Sequence, residues 1–335
     1  MNIIIPMAGM GKRMRPHTLT TAKPLIPVAG KPIVQRLVED IVATSNEKVE
    51  EIAFIIGPSF GKAVEEQLLR TAEKLGAKGK ICYQEEPKGT AHAILCAEET
   101  LTGNVFIAFA DTLFDATFSI DTSKDAIIWT QKVADPSAFG VVKLKENNEI
   151  EAFVEKPKEF VSDLAIIGVY YFRDGDNLKK ELQRLIDENI MLKGEYQITD
   201  AMDHMLGKGV KFYTDQVSEW LDCGNKDATV YTNQRILALK QGKEQLVAAS
   251  ASIQDSVILQ PCFIGEGVTI VNSVIGPYVS LEAGVSVQDS RISNSIVQCD
   301  TVVKNACIDN SMLGKSVSYT VKPDELSLGD FSTSL

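Results

Sequence analysis

Histidine is scarce in this 335-residue chain, three residues in all, and none forms a visible nucleophile–base pair, so Ser–His or Cys–His catalysis finds no support. The six cysteines, at 82, 96, 223, 262, 299 and 307, make no CxxC pair and have no histidine near them except His92. That spacing excludes a zinc site and a disulfide framework, and reduced core thiols are expected. No apolar run approaches membrane-spanning length, and no charged segment leads into an apolar signal core at the N-terminus; the cytoplasm is the expected location. With 34 Lys and Arg against 45 Asp and Glu, a formal charge of -11, the chain lacks the broad basic face that nucleic acid or an anionic membrane requires. The most informative absence is local: no acid precedes Glu39.

That acid-free stretch carries Lys12, Arg13, Arg15, Lys23, Lys31 and Arg36. Positive charge concentrated in an acidic protein points to an anion site rather than to general basicity. Asn2 to Ile5 reads as a short buried strand, and Gly9 and Gly11 let the backbone come close to an anion. A strand, a glycine turn and clustered N–H donors form a phosphate cradle. Two familiar loops are excluded. A Walker loop needs Lys-Ser/Thr, but Arg13 follows Lys12; a dinucleotide fingerprint needs a third glycine where Met14 stands, and an acid about 20 residues on.

At 44% hydrophobic and 24% charged, the chain can bury a large core, and its length suggests two domains. Strand-like runs at Ile3–Ile5, Ile52–Ile56, Ile81–Tyr83 and Val105–Phe109 alternate with amphipathic segments, among them Pro32–Val42 and Ala63–Leu75. This alternation predicts an α/β domain, a Rossmann-like, mainly parallel sheet covered on both faces, with ligands at the carboxyl ends of the strands. Gly9 to Arg13, Gln84 and Asp111 would share that rim. A helix is expected from about Lys226 to Lys240, ending near Gly242. From Ser252 onward small apolar residues recur at six-residue intervals, as in Val268 to Val274, Val279 to Val285 and Ile296 to Val302 to Ile308. Such spacing predicts a hexapeptide-repeat, parallel β-helix, left-handed in the expected fold class, with an open antiparallel β-domain as the alternative. The expected boundaries are 1–245, ending in a linker helix at about 225–243, and 246–335 with a short C-terminal tail.

The segment Gly9-Met-Gly-Lys-Arg-Met-Arg-Pro-His-Thr18, followed by Lys23-Pro-Leu-Ile-Pro-Val and Lys31-Pro32, resembles the N-terminal signature of the sugar-1-phosphate nucleotidyltransferases. The likeness continues, in family order, through Gln84 to Gly89-Thr-Ala-His-Ala, Phe109-Ala-Asp111, Phe139-Gly140, Glu155-Lys156-Pro157, Ala165 to Tyr170, Gly194 to Asp200 and Trp220-Leu-Asp222-Cys-Gly224. It covers about residues 1 to 225. Lys12 stands where the family usually has Thr or Ser.

The resemblance implies a GT-A-like catalytic domain in which a sugar-1-phosphate oxygen attacks the α-phosphorus of a nucleoside triphosphate and pyrophosphate leaves. The nucleophile is already ionised, so positioning and charge stabilisation by Arg, Lys and Mg²⁺ suffice. By the same likeness Arg13 and Lys23 are the catalytic cations. Gly9, Gly11, Lys12, Gln84, Gly89, Thr90 and Asp111 would bind nucleotide, and Asp111 with Asp222 would hold Mg²⁺. Gly140, Glu155, Lys156, Gly168 and Tyr170 would take the sugar phosphate. Taken alone, Arg13 and Lys23 read as solvated cations, Asp111 as a turn or cap, and Glu155–Lys156 as a surface pair. Gln84 offers a donor and an acceptor to a pyrimidine edge, which leans toward dTTP or UTP; Ile167-Gly168 in place of an amide side chain leans toward glucose-1-phosphate. Two alternatives stay open: a mannose-1-phosphate guanylyltransferase, and a silent, nucleotide-sugar-sensing regulatory subunit. The last histidine, His204, precedes the repeat. An acyltransferase base is therefore missing there, and oligomerisation is the expected use of the β-helix.

Overall fold

The computed structural model describes residues 1–9, 11–115 and 120–333, and the expected site and repeat residues all fall within them. The chain divides into two compact units, Met1–Ile26 with Lys31–Asn225, and Pro27–Gly30 with Lys226–Leu335.

In chain order the elements begin with β1 (Asn2–Pro6), β2 (Pro27–Val28), β3 (Lys31–Pro32), α1 (Ile33–Thr44), β4 (Glu51–Ile56), α2 (Lys62–Lys74) and β5 (Lys78–Tyr83). They continue with α3 (Thr90–Leu95), β6 (Val105–Ala108), β7 (Thr112–Phe114), β8 (Ala126–Lys132), β9 (Gly140–Leu144), β10 (Ile150–Glu155) and β11 (Leu164–Phe172). The series closes with α4 (Gly175–Asp187), α5 (Ile198–Gly207), β12 (Phe212–Gln216), β13 (Trp220–Asp222) and α6 (Lys226–Lys240).

Among the described residues the first unit builds a nine-stranded sheet. Its parallel half runs β6-β1-β4-β5, with Ile3 beside Ile52 and beside Phe106. Apolar runs such as Ile3-Ile4-Ile5 and Phe54-Ile55-Ile56 are wholly buried, as strands covered on both faces must be. The other half is largely antiparallel, with β12 parallel to β8. Strands β9 and β10 form a hairpin, and β11 runs antiparallel to β6, β8 and β9. A short turn such as Lys145–Glu149 can join only antiparallel neighbours, whereas a parallel pair needs a crossover of a dozen residues or more.

Helix α1 follows Pro32 and turns Ile33, Val34, Leu37, Val38 and Ile41 inward, the stripe its periodicity predicts. The Asp174 side chain caps α4 by accepting from Asn177 N at 2.9 Å. Helices α4 and α5 are stapled by Glu181, 3% exposed, which accepts from His204 Nδ1 (2.5 Å), Lys208 Nζ (2.7 Å) and Arg184 Nε (3.2 Å). Three donors hold its carboxyl down at about 2, against the desolvation that would raise it.

The second unit is a parallel β-helix of three sheets. Ser252 lies beside Thr269, Thr269 beside Ser286, and Ser286 beside Val302, so a coil takes 17 or 16 residues rather than three full hexapeptides. The interior is Val, Ile and Leu, for example Val268, Ile275, Val285, Ile292 and Val303. Corners recur in columns of left-handed residues: Asp255, Asn272, Asp289 and Asn305 in one, Gly267, Gly284, Asp300 and Ser316 in another. Asn and Asp tolerate that conformation better than other residues with a Cβ. A serine column adds a second tie, since Ser273 N bonds Ser256 Oγ and Ser290 N bonds Ser273 Oγ, each at 3.0 Å. Helix α6, expected at the end of the first domain, groups with the β-helix, as do residues 27–30. The reason is visible at Asn233, which is fully buried: its Oδ1 accepts from Ala29 N (2.9 Å) and Ser280 Oγ (2.7 Å).

Candidate active site

A cleft of about 260 Å³ opens past the carboxyl ends of β1, β5 and β6, and Gly9, Lys23, Gln84, Gly89, Thr90 and Asp111 are among its lining residues. Six of the residues picked from sequence thus meet in one place. Asp111 leaves β6 in a tight turn, where Thr112 N bonds Phe109 O, and β7 then pairs with β13, setting Asp222 opposite Thr112. Cys223 N donates to Asp111 O at 2.9 Å. Backbone pairing therefore brings together two carboxylates 111 residues apart in sequence (222 − 111).

Cations gather on this pair. Lys23 follows the loop in a short 3-10 turn, Lys23–Leu25, and its Nζ lies 2.6 Å from Asp111 Oδ2 with the side chain 12% exposed. Burial, and then the neighbouring charge of Asp111, raise the pKa of Asp222; Gly224 N–H, Lys23 and Arg13 pull it the other way. Arg13 belongs to the preceding 3-10 turn, Lys12–Met14. A Cβ at Gly224 would come within 2.8 Å of Asp222 Oδ2 and 3.1 Å of Arg13 Nη2. Gly224 was not among the residues chosen from sequence; its place directly after Asp222-Cys223 was the available signal.

Gly11 sits behind the loop, where a Cβ would strike Lys23 Cβ at 2.9 Å. Lys12 is exposed and does not line the cleft. Two other members of the basic run are used elsewhere: Arg36 is buried in α1, and Lys31 Nζ lies 2.7 Å from Glu39.

Gln84 directly follows β5 with 9% exposure, and its Nε2 donates to Gly89 O at 3.3 Å and meets His92 Nδ1 at 3.1 Å. Gly89 has φ +109°, and a Cβ there would fall 2.4 Å from Tyr196 O and 2.7 Å from Tyr196 N. Its glycine is required by this close approach to a second chain segment. Tyr196 N bonds Lys88 O (2.8 Å), Ala91 N bonds Tyr196 O (3.0 Å), and Thr90 Oγ1 bridges Gln197 Oε1 (3.2 Å) and Ile198 N (3.0 Å). The hydroxyl of Thr90 is thus engaged within the protein.

Glu195 and Gln197 border a second hollow of about 210 Å³, with Glu155, Lys156 and Lys193; Glu195 lines both cavities. Glu155 accepts from Thr199 Oγ1 at 3.4 Å and pairs with Lys156 Nζ at 3.4 Å, and a Cβ at Gly140 would meet its Oε2 at 2.9 Å. Asp200, in the first turn of α5, has its pKa raised by burial and by the charges of Glu155 and Asp203. It was quoted within a motif but not chosen as a site residue. Gly168 and Tyr170 lie in β11, with Gly168 O accepting from Phe109 N at 3.0 Å. Tyr170 belongs to the core, edge-on to the Phe109 ring at 6.3 Å, and its burial raises the phenol pKa. These two brace the Asp111 turn from beneath rather than line either cavity.

Oxygen donors suit a hard cation such as Mg²⁺, and the mutual repulsion registered at Asp222 is what such an ion would relieve. Among the described residues no group of three or more His, Cys, Asp or Glu could hold a metal, so an ion here would rest on two carboxylates and on ligand oxygens. No helix among those residues is long and apolar enough to cross a membrane.

The family model described as "Nucleotidyl transferase" matches residues 2–238. The glucose-1-phosphate thymidylyltransferase of Streptomyces griseus is 28% identical, over 99% of this chain and 98% of its own. A Bacillus anthracis structure described as a glucose-1-phosphate thymidylyltransferase, in complex with sucrose, is 25% identical with a TM-score of 0.57, covering 69% of this chain and 93% of its own. The structure of UDP-glucose pyrophosphorylase complexed with UDP-glucose shares the fold, at 23% identity and TM-score 0.58, over 71% of this chain and 98% of that one.

Proposed function

Because the chain belongs to the nucleotidyl transferase family, we propose that it transfers a thymidylyl or uridylyl group from dTTP or UTP to glucose-1-phosphate, releasing pyrophosphate. The observation that carries this reading is the cluster of Asp111, Asp222, Lys23 and Arg13 beside a cleft that Gln84 borders. A phosphate oxygen of the sugar forms a bond to the α-phosphorus, and the bond from that phosphorus to the bridging oxygen of pyrophosphate breaks. Attacking and leaving groups are both anionic, so the protein must supply positive charge and in-line alignment.

In this reading Arg13 grips the triphosphate with its planar fork and Lys23 neutralises the α-phosphate. Asp111 and Asp222 would hold Mg²⁺, which when bound would supply positive charge to the phosphates. Glu155 accepts sugar hydroxyls and Lys156 binds the sugar phosphate. Gly9 admits the phosphates to the backbone, and Gly11 lets the loop pack against Lys23. Lys23, held 2.6 Å from Asp111 Oδ2, would stand beside any cation that the two carboxylates hold. The names of the Streptomyces griseus and Bacillus anthracis relatives support glucose-1-phosphate and the thymidylyl group.

We assign catalysis to residues 1–245 and assembly to 246–335. The β-helix ends in an open strand, Ser318–Thr320, followed by exposed Leu326, Leu328 and Phe331, which supports its use as a homo-oligomer contact. The cysteines form no disulfide among the described residues, which suits a reducing cytoplasm. The test is pyrophosphate release over five nucleoside triphosphates crossed with several sugar-1-phosphates. The highest kcat/KM is expected for dTTP or UTP with glucose-1-phosphate. A maximum for GTP with mannose-1-phosphate, or no turnover with any pair, overturns the proposal.

A further inference from the structure

We propose that His92 is a specificity-determining positioning residue: it fixes the orientation of the Gln84 amide, so that the nucleotide base meets an acceptor and not a donor. The inference rests on the reading that the base binds at Gln84, and it deepens it.

An amide nitrogen has two hydrogens to give. Both are committed here, one to Gly89 O at 3.3 Å and one to His92 Nδ1 at 3.1 Å. The oxygen Oε1 takes no hydrogen bond among the described residues, and it is not among the sealed, unpartnered atoms of the interior. It is therefore the atom left for whatever enters the cleft, which Gln84 lines. The arrangement requires a bare Nδ1, hence a neutral ring with its proton on Nε2. Burial and then the Lys88 ammonium lower the pKa of His92, with Glu86 opposing, so the neutral ring prevails. If the amide turned over, Oε1 would face the lone pairs of Gly89 O, and His92 could bond it only by moving its ring proton from Nε2 to Nδ1, the less favoured neutral tautomer.

An acceptor-only Gln84 has a defined preference. Thymine and uracil carry N3–H, a donor that Oε1 can receive. Cytosine presents a bare N3 of the same size and shape, which Oε1 repels. Without His92 one of the two locks on the amide is gone, and the turned amide, offering NH₂, becomes accessible to cytosine. The histidine thus acts through Gln84, without touching the base.

The experiment is steady-state kinetics of the full chain with UTP and CTP, glucose-1-phosphate constant, for wild type, His92→Leu, His92→Asn and Gln84→Leu, each checked for folding by thermal unfolding. Asn can place its Oδ1 where Nδ1 stands and so keeps the acceptor. The ratio of kcat/KM for UTP over CTP is expected to fall about tenfold in His92→Leu, through KM rather than kcat, and to recover in His92→Asn; a tenfold change corresponds to about 1.4 kcal/mol, one net hydrogen bond. A wild-type ratio in His92→Leu, alongside a reduced one in Gln84→Leu, overturns the role of His92 and leaves base reading by Gln84 standing. A reduced ratio that His92→Asn does not restore makes His92 a packing residue and also overturns it. An unchanged ratio in Gln84→Leu removes the base from Gln84 and the proposal with it.

Discussion

Replacing Gly89 by Ala is the most direct test of how the cleft is built. At φ +109° and an extended ψ of 179° the backbone lies where residues with a Cβ are rarely found, a penalty of about 1–3 kcal/mol. The added methyl would stand 2.4 Å from Tyr196 O and 2.7 Å from Tyr196 N. No rotamer change relieves a clash between backbone and Cβ, so the segments must separate, at an overpacking cost of about 1–3 kcal/mol. Together these give about 4 kcal/mol, which for a unit of this size lowers Tm by about 10 °C. Separation also loosens the bonds from Tyr196 N to Lys88 O and from Ala91 N to Tyr196 O, and KM for nucleotide and for sugar phosphate should both rise. Gly76→Ala is the control: φ is +77° there but nothing lies within 4 Å, so only the backbone penalty of about 1 kcal/mol applies. Thermal unfolding and initial-rate kinetics on both variants decide the matter. A Gly89→Ala protein within about 2 °C of the Gly76→Ala control, with both KM values at wild type, refutes the reasoning.

Arg13→Ala should lower kcat by about 10² or more, comparable with losing one preorganised donor, with Tm unchanged because the side chain is exposed; wild-type turnover in single-turnover assays removes Arg13 from catalysis. Asp111→Asn and Asp222→Asn should each shift the Mg²⁺ dependence of the rate to higher concentration, and metal titrations superimposing on wild type in both would sink the metal assignment. Asp222→Asn should in addition raise Tm at neutral pH without metal. The pKa of Asp222 is raised in the folded protein, so its ionised form opposes folding at neutral pH, and the difference should vanish as pH falls through that raised value. Glu181→Gln goes the other way. Its carboxyl is depressed to about 2, so it contributes about 3 kcal/mol above the ordinary carboxylate range, lost as pH falls from about 4.5 toward 2; equal urea midpoints for the variant and wild type at pH 7 would contradict the staple.

Much of the site was legible because its residues sit at signals that local chemistry writes into sequence. Gln84 and Asp111 each follow a strand whose apolar run announces it, and the order of strands in an α/β sheet puts their ends on one rim with Lys23. The Asp111–Asp222 pairing was readable only through the family likeness, since nothing local links β7 to β13. Position along the chain also misled: six cations in one acid-free run suggested one anion site, yet Arg36 turns into the core and Lys31 meets Glu39, because helix α1 sets their direction. The ties between residues 88–91 and 196–198 span more than 100 positions. The need for glycine at 89 therefore lay in a neighbour no window of sequence contains. Hexapeptide spacing pointed to the β-helix, but corners held by single left-handed residues shorten the coil to 17 or 16.

Those corner columns make length a free parameter. In the strand ladders each coil pairs only with the coil on either side, and Asp255, Asn272, Asp289 and Asn305 repeat one corner, as the serines at 256, 273 and 290 repeat one bond. Excising one whole period would rejoin equivalent positions and leave every remaining ladder in register, whereas removing half as many residues would turn the apolar interior outward along the rest of the stack. Such a module can grow or shrink by whole coils without any change in the chemistry of the cleft, which makes the height of the stack the dimension most open to divergence among relatives.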